Sequence, residues 1–270
     1  MQFIIGIIIS FVAITFSIFH LKQDFSNYVD PVGVIVVLGG TLAVATIIFP
    51  WQDLEEIKLA VRVLFRGTSI DLKVLNRHCF NLIQSALEGQ PKFDLEKTET
   101  LAHRTLQDGA ELIQLGFPTE KIRSILEERI FQSCERKIKI ANVVRSLSKY
   151  PPAFGLVGTV LGLMSLMRSI SEGASSTETG LRMAVALVAT LYGLLVANLV
   201  INPAGENLLK RALEEKKASE LAHQAVILAS LRTNLLESQE TLNSFVPKRD
   251  RLNLFSDGIE GTNPTLEEAS

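Results

Sequence analysis

The sequence predicts an all-α integral membrane protein with four transmembrane helices, a helical cytoplasmic domain between spans 2 and 3, and a helical C-terminal tail. Three observations predict it. Residues 3–19, 31–50, 151–170 and 180–203 are apolar almost throughout, and a bilayer core takes about 20 such residues per helix. The charges lie elsewhere: of 27 Lys and Arg, 16 fall between Trp51 and Tyr150 and 8 follow Pro203. Between the spans, apolar residues such as Leu54, Ile57, Val61 and Leu64 recur at helical spacing. A composition of 47% hydrophobic and 21% charged residues suits a membrane part joined to a large aqueous part. No basic stripe points to nucleic acid.

Residues 1–50 form the first hairpin. Phe3 to Phe19 follows Met-Gln, with no basic run before it and no small-residue cleavage site after it, and reads as a retained membrane helix. Pro31 to Pro50 is the second span. Its Gly39-Gly40 pair leaves room for a neighbour, and Pro50-Trp51 marks an interface. Neither span carries a charge, so both are expected to face lipid.

Residues 51–150 read as a domain of four or five helices without a strand. Breaks fall at Gly67-Thr-Ser, Gly89-Gln-Pro and Gly116-Phe-Pro-Thr-Glu, where Pro118 and Thr119 have the character of a helix start. Residues 204–245, rich in Ala, Leu, Glu and Lys, read as a further helix, and 246–270 as a flexible tail. The basic residues of both regions place them in the cytoplasm. Four spans with both termini inside then leave 20–30 and 171–178 as short external loops. Cys79 and Cys134 are expected to be free thiols.

The inner pair, residues 151–203, is the most informative. At helical spacing Gly155, Thr159, Gly162 and Ser165 line one face of span 151–170, and Ala186, Thr190, Gly193 and Ala197 line one face of span 180–203. Such stripes, with Gly158 and Gly162 spaced as GxxxG, let membrane helices approach closely. Thr159 and Thr190 lie deep in these faces, either as packing residues bonded to backbone or as polar groups with a task. Pro151, Pro152 and Pro203 stand at the cytoplasmic ends. They read either as punctuation in a first helical turn or, with helical pattern on both sides, as hinges that lack a backbone donor.

Ionisable residues within membranes mark ion pathways, and the interiors of the four spans hold no Asp, Glu, Lys or His. A carboxylate binding a passing cation would come from another chain. The same lack argues against a self-contained transporter. No soluble enzyme is supported: His20, His78, His103 and His223 form no constellation, neither a P-loop nor GxSxG occurs, and neither catalytic nor metal-ligating residues are expected.

Ala186-Leu-Val-Ala-Thr-Leu-Tyr-Gly-Leu-Leu, with Pro203 after seven further residues, resembles the signature of the MotA/PomA flagellar stator family. Pro152-Ala-Phe-Gly-Leu-Val-Gly-Thr-Val-Leu-Gly resembles its third span. The four-span layout, the loop of about a hundred residues and Ser244-Phe-Val-Pro-Lys extend the resemblance over nearly the whole chain. It implies a stator subunit of the bacterial inner membrane, not an enzyme and without a cofactor beyond the translocated H+ or Na+. Five copies would surround a dimer of a MotB-like single-span partner that supplies the ion-binding Asp, and the complex would turn ion flow into torque on the rotor protein FliG.

Carried over residue by residue, Thr159 and Thr190 match positions on the ion route, and Pro152 and Pro203 match the coupling prolines. Glu96 matches the acidic rotor contact. The family's basic pair falls on Glu88-Gly89, with Lys92 as the nearby substitute. Sodium-driven relatives tend to carry threonine at both positions of the pair that reads Ala189-Thr190 here, so protons are the expected coupling ion and a sodium-driven PomA-type stator is the alternative. The ExbB/TolQ energisers share the inner helices, but that resemblance implies three spans, against which residues 3–19 and 31–50 stand.

Overall fold

The computed structural model describes residues 2–20, 28–66, 70–91, 93 and 100–253, and every regular element among them is helical. Lys92 and Glu96, the loop 21–27 and residues 254–270 of the tail lie outside the described residues. In chain order the helices are α1 (Gln2–His20), α2 (Pro31–Ile48), α3 (Trp51–Arg66), α4 (Leu72–Leu87), α5 (Leu101–Gln114) and α6 (Thr119–Leu147). Then come α7 (Tyr150–Ser171), α8 (Ser176–Leu195), a π-helical turn (Val196–Ile201), α9 (Asn202–Leu231), α10 (Leu235–Asn243) and a 3-10 turn (Lys248–Asp250).

Among the described residues three helical stretches, not four, are long and apolar enough to cross a membrane: α2, one within Thr119–Ser171 and one within Ser176–Leu231. The expected first span is the exception. Its helix runs Gln2–His20, and within it the apolar run among the described residues is Ile5–His20.

Contacts divide the chain into two units, Met1–Thr68 with Lys137–Arg211, and Ser69–Arg136 with Ala212–Ser270. In the first, α2, α7 and α8 pack together. The N-terminus of α2 is fixed twice. Asp30 caps it, accepting from the N–H groups of Val32 at 3.0 Å and Gly33 at 2.9 Å, and Pro31 fills a first-turn position where its missing N–H costs nothing. Gly33, Val37, Thr41 and Ala45, four residues apart, form a buried face. A Cβ at Gly40 would fall inside the ring of Phe154. The expectation that α2 faces lipid alone therefore fails: one face lies against α7 and α8, and the opposite face exposes Val32, Ile35 and Leu42. Where α6 ends and α9 begins, Arg145 pairs with Glu206 at 2.8 Å, and Val144 packs on Ala204 with Ile57, Ile201 and Leu208.

The second unit is an ordinary aqueous core. Leu75, Leu82 and Ile83 of α4, Leu106 of α5, Ile122 and Leu126 of α6, Leu221, Val226 and Ile227 of α9, and Leu242 of α10 are buried almost completely. Each contributes about 1.5–3 kcal/mol relative to exposure. Ala218, Ala222, Ala225 and Ala229 give α9 a small buried face, against which helices come close enough that a Cβ at Gly109 would meet Val226. The breaks fall where the sequence has its punctuation. Asp71 caps α4, Thr100 caps α5, and Gly89 and Gly116 have φ of +85° and +74°, the left-handed region that glycine enters without strain. Cys79 and Cys134 are both buried, and burial raises the Cys79 thiol pKa, which keeps it protonated and inert.

His223 is a buried titratable group of this core, 8% exposed. Burial pushes its pKa below 6.5, Glu127 draws it partly back, and Arg123 lowers it again. The unfolded chain takes up the proton near pH 6.5 and the folded one only at lower pH. The stability it contributes is therefore full above that value and is lost as pH falls below it. The melting midpoint of the purified chain should drop between about pH 7.5 and about pH 5.5, either side of the ordinary histidine range. His223→Leu should remove part of that drop, as followed by circular dichroism.

Candidate functional site

The small-residue faces of α7 and α8 meet each other. A Cβ added at Gly155 would stand 2.9 Å from the Ala189 carbonyl oxygen, and one at Gly162 would stand 2.5 Å from the Ala186 Cβ. At Gly193 it would strike the Pro151 carbonyl. Ala186 and Ala197 are 3% and 2% exposed. The stripes thus bring two backbones together, which a leucine anywhere along them would prevent.

This approach places Thr159 beside Thr190. Their hydroxyls touch each other. Thr159 Oγ1 also lies 3.1 Å from the Ala186 carbonyl oxygen and 3.2 Å from that of Gly155, and Thr190 Oγ1 lies 3.2 Å from the Gly155 carbonyl. Each hydroxyl has one proton to donate, so the two choose among two carbonyls and each other. In one arrangement Thr159 donates to Ala186 and Thr190 to Gly155. In another Thr159 donates to Thr190, which donates to Gly155. Four oxygens converge between the helices, with two hydroxyl protons that reorient by rotation. Thr159 is buried and Thr190 half-buried, so the pair reaches from the seam toward the surface.

Ala189 stands elsewhere. Its Cβ points into the seam with α2 and α7, 2.7 Å from where a Cβ at Gly158 would lie and 3.2 Å from one at Gly33. No oxygen is added to the threonine cluster from this position.

The prolines differ from each other. Pro151 and Pro152 lie in the first turn of α7, where a missing N–H is harmless. The helical path is broken just before them, where Ser148 and Lys149 donate to Arg145 and Ser146 in tight turns. Pro203 lies inside an unbroken helical stretch, Ser176–Leu231. The π turn Val196–Ile201 directly precedes it, and such turns absorb the carbonyls that a proline leaves without a donor. Because Gly193 meets Pro151, the break before α7 and the π turn flank the same contact. Beside the turn, a cleft of about 370 Å³ is lined by Asn198, Leu199, Pro203 and Asn207 with Gly6 and Ser10 of α1.

Two contributors were not legible in the sequence. The Tyr192 hydroxyl accepts from the Asp30 N–H at 3.0 Å and donates to the Tyr28 carbonyl, tying α8 to the start of α2 across 162 residues of chain. Asp30 also borders a cleft of about 890 Å³ between α2, α7 and α8, lined with Gly33, Gly158, Gly162, Ser165 and Arg182. An aspartate before a proline reads as a cap, which it is, and nothing local indicates its tyrosine.

The fold and site define a class: a multi-span membrane subunit whose paired inner helices join hydroxyls in a seam free of Asp, Glu, Lys, Arg and His from Gly155 to Gly162 and from Val185 to Ala197. A family profile described as the MotA/TolQ/ExbB proton channel family matches residues 97–221. Motility protein A of Bacillus subtilis is 25% identical over 98% of this chain and 97% of its own length. Chemotaxis protein PomA of Vibrio alginolyticus is 26% identical over 72% of this chain and 75% of its own. Among solved structures, MotAB of C. jejuni superposes with a TM-score of 0.82 at 16% identity, covering 94% of this chain and 99% of that one. The flagellar MotAB stator complex from Bacillus subtilis gives 0.81 at 23%, covering 93% and 98%. The likeness to motility proteins thus spans nearly the whole chain, and the family match itself covers residues 97–221.

Packing at Ala189 yields a direct test. Ala189→Thr adds a branch where Gly33 and Gly158 leave no room, and overpacking of this kind costs about 1–3 kcal/mol. Purified in detergent, the variant should melt earlier than wild type. Ala189→Gly, which creates only a small gap, should melt nearer to it. Equal midpoints for Ala189→Thr and wild type would show that the seam yields.

Proposed function

We propose that this chain is a stator subunit of the flagellar motor, which with a MotB-like single-span partner conducts ions and converts their flow into torque. The observation that carries this reading is the match to motility proteins over nearly the entire chain, in sequence and in fold alike. The activity is ion conduction rather than enzymatic conversion, as the family's description as proton channels implies. An assembly of five copies around a partner dimer, α1 as the remaining span, both termini in the cytoplasm, and FliG as the rotor contact complete the proposal. Support for the membrane faces comes from the large apolar residues left exposed on α1, α7 and α8, among them Phe11, Phe16, Leu156, Met164 and Leu187, which water would penalise and lipid or neighbouring subunits would cover.

In this reading the partner supplies the carboxylate that the inner helices lack, and the Thr159–Thr190 pair passes the ion along. Protons suit the geometry better than sodium. A dehydrated sodium ion needs several oxygens spread around it, and here the four oxygens are already hydrogen-bonded to one another while Ala189 adds a methyl. A proton needs only hydroxyls or water able to exchange donors. The joints before α7 and before Pro203 are then where ion binding is turned into motion, with Pro152 and Pro203 as coupling residues.

Three outcomes test the reading in cells lacking their own stators but supplied with this chain and its cognate partner. Swimming should be restored, and its speed should follow external pH rather than sodium. Thr159→Val and Thr190→Val keep volume and remove a hydroxyl. If the hydroxyls only tie helices, about 1 kcal/mol is lost and speed is kept. If they carry the ion, speed falls with the amount of inserted complex unchanged, by about tenfold in passage rate for each 1.4 kcal/mol added to the barrier. We expect the fall.

Pro203→Ala restores one backbone donor below the π turn and should favour a regular α-helix there. Assembly with the partner should survive, as judged by co-purification, while torque drops by more than half. Normal swimming in this variant would assign Pro203 to packing alone.

A further inference from the structure

Among the described residues, α4, α5, α7 and α9 end in the same backbone motif. After each, a residue of positive φ donates its N–H to the carbonyl three residues back, and the next residue donates to the carbonyl five back. Three of these turns use glycine: Gly89, Gly116 and Gly173, with φ of +85°, +74° and +90°. The fourth uses Arg232, with φ of +53°. Its N–H bonds to Ala229 and that of Thr233 to Leu228, both at 3.2 Å, so the motif is intact although a Cβ is crowded there. Strain retained where glycine would relieve it marks a side chain with a use. That use is not within the described chain: Arg232 is exposed, and its guanidinium has neither hydrogen bond nor ion pair there.

The geometry points to a protein-docking surface at this turn, where the Arg232 guanidinium meets a carboxylate of the partner beside an apolar contact made by Leu231 and Phe117. Leu231 is 58% exposed and Phe117 39% exposed. The turns that carry them lie side by side, because Thr119 Oγ1 and Ser230 Oγ stand 2.8 Å apart. Lys121 adds a second exposed cation, while Glu120 is matched by Arg123 at 3.8 Å. The charge left over is positive. Apolar residues flanked by arginine are the usual anchors of a protein interface, and the forked guanidinium fits a carboxylate with two parallel hydrogen bonds.

The partner is the rotor protein, engaged through an apolar recess bordered by Asp or Glu; the contact rests on the stator reading and is separate from Lys92 and Glu96. A lipid headgroup is met equally well by any mobile cation, so it gives no reason to hold one arginine on a left-handed turn. A second copy of the same turn would set cation against cation. A carboxylate fixed on a folded partner is what a guanidinium fixed on a rigid turn selects.

Glycine at this position separates a contact from a structural role. Arg232→Gly relieves the turn, so the purified chain should melt at or above the wild-type midpoint. In cells lacking their own stators and supplied with the cognate partner, the same variant should insert in wild-type amounts yet swim at about half the wild-type speed or less. Leu231→Ser should also slow swimming, and Arg232→Glu should slow it most. Suppressors of Arg232→Glu should map to the rotor protein, as Asp or Glu replaced by Lys or Arg. Wild-type speed in Arg232→Gly overturns the proposal, as do suppressors confined to the MotB-like partner or to this chain. A lowered midpoint with speed falling in step with the inserted amount returns Arg232 to a structural role. If the unaltered chain restores no swimming, the stator reading falls and the contact with it; if the unaltered chain and every variant swim alike, only the contact falls.

Discussion

The structure depends on one close approach, that of the α7 and α8 backbones. Lipid offers apolar helices no hydrophobic reason to associate, so contact area and hydrogen bonds must hold them together. Gly155, Gly162 and Gly193 supply the first by removing side chains where the other backbone passes. Thr159 and Thr190 supply the second, bonding across the seam to Gly155 and Ala186. The two devices need each other: a hydroxyl on a short side chain reaches a carbonyl on the next helix only when the backbones are already close. A bulky residue at a glycine would thus disrupt the polar cluster without touching it.

From this seam outward the arrangement follows. Ala189, too small to hold the helices apart, admits α2 through Gly33, and Tyr192 fixes where α2 begins. Pro151 and Gly193 bring the start of α7 and the end of α8 to one level. The chemistry of the seam is sparse: around Thr159 and Thr190 it offers hydroxyls and carbonyls and no charge. In the proposed stator, tight binding belongs to the partner's carboxylate, and this subunit contributes the path and the joint.

Much of this was legible in the sequence because the decisive residues act through size and period. Stripes of Gly, Ala and Thr three and four apart gave the helix faces, and the breaks at Gly89 and Gly116 lie where Gly is required by a positive φ. The first apolar run, read as a span, forms the helix Gln2–His20, but it is not among the three described stretches of crossing length. Absence of charge on α2 said nothing about its neighbours, since a face of Gly33, Val37, Thr41 and Ala45 is as apolar as one made for lipid. Contacts between distant residues left no local trace. Tyr192 with Tyr28 and Asp30, and Thr119 with Ser230, are pairings that only the folded chain reveals. Nor does composition announce a π turn, which the sequence shows only as a proline to follow.

The two successive close contacts on either side of that π turn have a geometric consequence. Gly193 meets Pro151, and Gly205 meets Arg145. Between them the α8–α9 strand of the pair spends twelve residues while the α6–α7 strand spends six. At about 1.5 Å per helical residue these are contour lengths of about 18 Å and about 9 Å. Two rods of such unequal length cannot run side by side between the same two points, so one must bow or cross over the other. The π turn before Pro203 lies on the longer of the two paths, and a change in its winding would alter the crossing while both anchoring contacts stay in place.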